Sequence, residues 1–182
     1  YGIGNKINSI ITMPANGIGS AISTIVGQNI GAGQQERADK AYHYALRMGA
    51  LFLLFFGLIL SRRFISQAMV TFFSTDERVI PLATDFLSLM AFWCWSNAFY
   101  NVTQGLFQGS GHTMITMIVD ASRIWIFRLL TLWVCANVLN MGVESVWYAV
   151  VISNGTSAAI LFALYWTGIW KKSTIKIEKT ES

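Results

Sequence analysis

The chain has 182 residues, of which 54% are hydrophobic and 12% charged, with a net charge of +4 and a mean hydropathy of +0.49. Soluble domains carry about 25% charged residues. Here the apolar residues come in runs long enough for the ~20-residue crossing of a bilayer core, which excludes an ordinary soluble domain. The basic residues are scattered apart from a C-terminal group, so no nucleic acid is expected as a partner.

Five membrane spans are predicted in an all-α membrane protein. The first covers residues 6–30, with Pro14 expected to kink or break it by removing a backbone donor. Gly19, Ser23, Gly27 and Gly31 recur every four residues along it, the small-xxx-small pattern of close helix contact. Ser20, Thr24 and Gln28 form an adjacent polar stripe. The second span covers residues 41–60. An amphipathic interfacial segment is expected over residues 62–73, its apolar side carrying Phe64, Ile65, Ala68, Met69, Phe72 and Phe73. Ser74 to Glu77 have the composition of a helix start, with Pro81 tolerated in the first turns that follow. The third span covers residues 82–107 and ends in the Gln108-Gly109-Ser110-Gly111 turn. The fourth covers residues 114–136 and the fifth residues 145–170, with Trp166 and Trp170 suited to an aromatic belt. Residues 171–182 are a lysine-bearing tail, expected to be cytoplasmic.

Two polar sets lie inside these spans. Asn97, Asn101, Gln104 and Gln108 are spaced by 4, 3 and 4, which places them on one helical face that cannot meet lipid. They suit either interhelical hydrogen bonding or one wall of a water-filled solute cavity. Thr113, Thr116, Asp120 and Arg123 share a face of the fourth span. Asp120 reaches Arg123 at i,i+3, so the two suit either a structural ion pair or charged members of a substrate and ion cavity, with Asp120 as a protonatable or cation-binding group; the neighbouring guanidinium argues against that second role for Asp120. Cys94 and Cys135 sit singly in apolar runs and read as small hydrophobes. No nucleophile–base pairing and no metal-ligand spacing is visible, so neither enzymatic activity nor a metal or cofactor is expected.

Counting Lys and Arg orients the chain. With the first loop inside, that side holds seven (Arg37, Lys40, Arg47 and four tail lysines) against four opposite (Lys6, Arg62, Arg63 and Arg78). This predicts a cytoplasmic C-terminus. The chain opens on Tyr1 without a visible signal peptide, and with five spans its N-terminus falls outside, so it reads as part of something longer.

The run Met13-Pro14-Ala15, Gly17-Ile18-Gly19, Gly27-Gln28-Asn29 and Arg37-Ala38 resembles the signature of multidrug and toxic compound extrusion (MATE) transporters. Further along, Gln108-Gly109-Ser110-Gly111 with Thr113, then Arg123-Ile124-Trp125, and finally Gly142 with Trp147-Tyr148-Ala149 are similar to later stretches of that family in the same order. The resemblance implies helices eight to twelve of a twelve-helix transporter, a partial C-terminal lobe whose partner helices lie upstream. It implies an antiporter exchanging Na+ or H+ for cationic or amphiphilic drugs by alternating access, in a bacterial inner membrane. Its partners would be the lipid bilayer, the missing N-terminal helices or lobe, and small organic cations or drugs. Asn97 stands where some branches of the family carry a cation-site carboxylate; a neutral amide takes up no proton. The resemblance therefore points to coupling in the missing lobe. A related flippase of lipid-linked sugars, which would need more basic cavity residues than Arg123, and a non-transporting truncated membrane subunit are the alternatives.

Overall fold

The computed structural model describes residues 2–73, 79–138, 142 and 144–171. The expected helix start at 74–77 and the tail lysines beyond Lys171 fall outside them. The described residues form eight α-helices: α1 (Gly2–Gly31), α2 (Gln35–Leu60), α3 (Arg63–Phe73), α4 (Val79–Trp93), α5 (Trp95–Gly109), α6 (Thr113–Ser122), α7 (Leu129–Asn137) and α8 (Glu144–Trp166). A π-helical segment (Arg123–Arg128) joins α6 to α7, and a short 3-10 turn (Ile169–Lys171) follows α8.

The fold is all-helical, but the expected count of five continuous helices is not exact. α1 runs through Pro14 without ending. The third predicted span divides at Cys94, where the amides of Cys94 and Asn97 bond three residues back in place of four. The cause is local packing: the Cys94 thiol donates to the Leu53 carbonyl on α2 at 3.2 Å, and Gly57 leaves room for Ala91 and Cys94 to approach. The fourth predicted span is interrupted by the π segment. Among the described residues, only α2 and Ser145–Trp166 of α8 are, taken alone, both long and apolar enough to cross a bilayer.

Sequence chemistry explains the ends of the helices that position the site. At the end of α1, the Gln34 amide bonds Asn29 O at 2.7 Å and the Gly33 amide bonds Ile30 O at 2.9 Å. This Schellman arrangement needs a left-handed residue, and Gly33 supplies it at φ 71°. The end of α5 repeats it, with His112 bonding Phe107 O, Gly111 bonding Gln108 O, and Gly111 at φ 87°. α1 and α5 are neighbours running in the same direction, since Gly19 faces Asn101 and Ser23 faces Gly109. Both glycine turns therefore lie at one end of the bundle.

The contact between α1 and α5 is made through backbone. A methyl built on Gly19 would sit 2.7 Å from the Asn101 carbonyl oxygen, and one built on Gly27 3.3 Å from that of Gly109. On the other side, a methyl on Gly105 would overlap the Gly19 carbonyl and one on Gly109 that of Ser23. The small-residue stripe thus packs as its spacing predicts at Gly19, Ser23 and Gly27. Gly31 does not: it is exposed, and a methyl there would meet nothing within 4 Å, because α1 has passed the end of α5.

α2 is apolar on both sides. Tyr42, Leu46, Gly49, Leu53 and Gly57 face inward, while Leu51, Phe55 and Leu58 are exposed, as suits a helix between protein and lipid. α3 splits its apolar residues. Val70 is buried and Met69 packs on the second cluster of core residues, whereas Phe64 and Phe72 are 84% and 86% exposed. The two C-terminal tryptophans also part company. Trp166 is exposed, as an aromatic belt requires, but Trp170 is buried and stacks on Tyr165 with centroids 6.0 Å apart, so it is no belt residue.

Candidate functional site

Two polar features meet on α5. The first is a groove of about 250 Å³ between α1 and α5. Asn16, Gly19 and Ser20 form its α1 wall, and Asn101, Gln104, Gly105 and Gln108 its α5 wall. The glycines make the groove possible: where the two backbones touch, amide and hydroxyl side chains project to either side of the contact. Asn101 is held by a bond from its Nδ2 to the Asn97 carbonyl at 2.8 Å. Asn97 is half-buried one turn before the groove and does not line it.

The second feature is a network around Asp120 on α6. The Tyr100 hydroxyl donates to Asp120 Oδ1. Gln104 Nε2 donates to Oδ2 at 2.7 Å, and Arg123 Nη2 donates to Oδ1 at 3.0 Å. Arg123 in turn donates from Nη1 to Asn154 Oδ1 on α8 at 3.3 Å, and its guanidinium lies 4.7 Å from the centre of the Tyr100 ring. The side chains of Asp120 and Arg123 are 32% and 22% exposed. An ion pair this enclosed is tolerated in a membrane interior only with its hydrogen-bonding capacity engaged. Three donors, Tyr100 and Gln104 on α5 and Arg123 in the π segment, do that for the carboxylate. Gln104 belongs to both features: it lines the groove and grips Asp120.

The predicted sets are thus brought together, with Asn101, Gln104, Gln108, Asp120 and Arg123 in one region and Asn97 at its margin. Thr116 is buried and spends its hydroxyl on Thr113 O at 2.8 Å. Tyr100, Asn154 and Asn16 escaped the sequence reading. Tyr100 lies four residues before Gln104, so its face was legible, and Asn154 is the single amide of α8, set among Ser153, Thr156 and Ser157.

At the end of the bundle that carries the glycine turns, a separate cluster ties α8 to α2. The Tyr165 hydroxyl donates to Asp39 Oδ1 at 2.7 Å and lies 3.0 Å from His43 Nε2. The Tyr42 hydroxyl pairs with that of Thr103 at 3.0 Å, and Gln35 Nε2 donates to the Lys171 carbonyl at 3.0 Å. In the loop motif, Asn29 Nδ2 donates to Ile25 O at 2.7 Å and Arg37 to the Gln34 side chain at 2.8 Å. Gln28 is exposed. These motif residues therefore build the turn and do not reach the groove.

Apolar helices exposed on most sides, a polar groove between glycine-packed helices, and a charged network beneath it define a polytopic helical membrane protein. A family model described as MatE matches residues 1–134. A probable multidrug resistance protein NorM of Thermotoga maritima is 23% identical over 173 residues, covering 95% of this chain and 37% of that protein. A probable NorM of Chromobacterium violaceum is 28% identical over 168 residues, covering 88% and 35%. Protein DETOXIFICATION 9 of Arabidopsis thaliana is 26% identical over 163 residues, covering 88% and 33%. Among solved structures, the inward-facing conformation of a multidrug resistance MATE family transporter of the MOP superfamily superposes with a TM-score of 0.80 at 18% identity, covering 94% of this chain and 40% of that one. The chain belongs to the MATE family of membrane transporters. It spans about a third of the length of the curated relatives it matches.

Proposed function

We infer that this chain supplies part of the C-terminal lobe of a multidrug antiporter, which exchanges Na+ or H+ for cationic or amphiphilic drugs. In this reading the α1–α5 groove is one wall of the solute path, and the role is transport, not catalysis. The observation that carries it is Gln104, whose amide lines the groove while holding the Asp120–Arg123 pair. A polar wall inside a membrane bundle has a cost unless water or solute meets it. A row of neutral amides suits substrates of varied shape, because amides both donate and accept. Alternating access needs a second repeat to rock against, so the chain works with complementary helices. The bacterial inner membrane and a cytoplasmic C-terminus belong to the same proposal, through the excess of basic residues on the side of the first loop.

The test is export of a fluorescent cation such as ethidium by the parent protein carrying Asn101→Leu or Gln104→Leu. Each substitution is expected to slow export while the amount of inserted protein stays unchanged. Normal export with both in place would assign the amides to helix packing alone.

A further inference from the structure

A free amide both donates and accepts, but the two half-buried amides of the groove are not free. Asn101 Nδ2 is spent on the Asn97 carbonyl at 2.8 Å, and Gln104 Nε2 on Asp120 Oδ2 at 2.7 Å. A carbonyl and a carboxylate only accept, so each amide must turn its NH2 group to its partner. What remains for the groove is the oxygen of each, Asn101 Oδ1 and Gln104 Oε1, one turn apart on α5 and without a partner among the described residues. The backbone adds no donor there, because residues 16–20 and 101–108 lie inside α1 and α5, where amides are used by the helix. Asn16, Ser20 and Gln108 are exposed and can turn either way.

We propose that Asp120 is a positioning residue for the groove: it fixes Gln104 with the carbonyl oxygen toward the solute, so that the groove prefers organic cations bearing N–H donors to cations that have none. This rests on the reading of the groove as a wall of the solute path. Turning Gln104 over would set its oxygen against Asp120 Oδ2 with no proton between the two acceptors, a repulsion felt strongly in a low-dielectric interior. The carboxylate also polarises the amide it holds, which makes Oε1 a stronger acceptor. Asp120 is itself held in place. Tyr100 and Arg123 donate to its Oδ1, and Asn154 on α8 accepts from Arg123. Its charge is met by the Arg123 guanidinium at 3.0 Å, so the discrimination lies in hydrogen bonding and not in net charge. A primary or secondary ammonium brings N–H bonds for both oxygens. A quaternary ammonium brings none and leaves them unpaired.

The experiment is binding of two fluorescent probes to the purified parent protein, followed by fluorescence polarisation. One is dansylcadaverine, with a primary ammonium; the other is its N,N,N-trimethyl derivative, which keeps the charge and lacks the ammonium N–H. The wild-type protein is expected to bind the ammonium about tenfold more tightly, the ratio given by ~1.4 kcal/mol. Asp120→Asn and Gln104→Asn both leave an amide at position 104 but untie it, the second by shortening its reach. Each is expected to cut the ratio to about threefold or less, half of that free energy. A weakened fold would lower both affinities and leave their ratio alone, so the ratio reports the orientation of the amide. Gln104→Asn keeps the Asp120–Arg123 pair and gives the answer even where Asp120→Asn fails to fold. A wild-type ratio near one overturns the proposal, and so does a ratio that survives Gln104→Asn undiminished. Binding of neither probe overturns it together with the solute-path reading. The expected ratio, cut by the variants, in a protein that exports no ethidium would support the positioning of Gln104 and count against transport alone.

Discussion

Gly19 and Gly17 lie two residues apart on α1, and replacing each by alanine separates the packing role of glycine from its backbone role. At Gly19 the added methyl stands 2.7 Å from the Asn101 carbonyl oxygen and 3.1 Å from the carbonyl carbon. Ordinary van der Waals contact begins at 3.4 Å, so the opposing atoms must retreat by about 0.7 Å. These atoms are backbone, so α5 must move as a body and carry Gly105 and Gly109 away from α1. Overpacking of this kind costs about 1–3 kcal/mol. At Gly17 nothing lies within 4 Å of the new methyl. Both substitutions share the helix-propensity gain of about 1 kcal/mol over glycine, so it cancels between them. The expected difference is therefore about 1–3 kcal/mol, or 5- to 150-fold in the unfolding equilibrium, with Gly19→Ala the weaker protein. Reversible unfolding in bicelles measures it. Equal stability of the two variants would refute the backbone-contact account of the motif.

Three further expectations follow from named contacts. In a double-mutant cycle, Asp120→Asn and Arg123→Gln should show a coupling of about 0.5–3 kcal/mol, because either change alone strands the other charge among Tyr100, Gln104 and Asn154; unfolding of the four proteins gives the value, and strict additivity would contradict the network. Gly33→Ala should lower stability by about 1–2 kcal/mol through its left-handed φ of 71°, while Gly31→Ala, in open space, should not lower it; thermal unfolding distinguishes them. Tyr165→Phe removes the bonds to Asp39 and His43, each worth about 0.5–1.5 kcal/mol; hydrogen exchange should accelerate at 35–43 and 165–171 and stay unchanged at 113–122.

Inside a membrane the backbone must satisfy itself, so long apolar runs can only be helices. That is why the all-helical class, the helix ends at Gly33 and Gly111, and the packing face of Gly19, Ser23 and Gly27 were all legible from residue types and spacing. The same rule placed Asn101, Gln104 and Gln108 on one face and Asp120 beside Arg123, because i,i+3 and i,i+4 geometry is local to a helix. It did not disclose the interruptions at Cys94 and at Arg123–Arg128. Those arise from contacts with α2 and α8 that no local pattern encodes. Nor could spacing show that Gly31 overruns its partner helix or that Trp170 folds back onto Tyr165.

Sequence alone therefore determined the material of this protein: helices, their polar faces, their glycine seams and the family they resemble. Tertiary structure decided which faces meet. Residues 16 and 101, 104 and 120, and 123 and 154 lie on different helices, and their distances depend on how closely two backbones approach. Between α1 and α5 that approach is set by glycines whose missing side chains let the two backbones touch, which opens a polar groove on one flank.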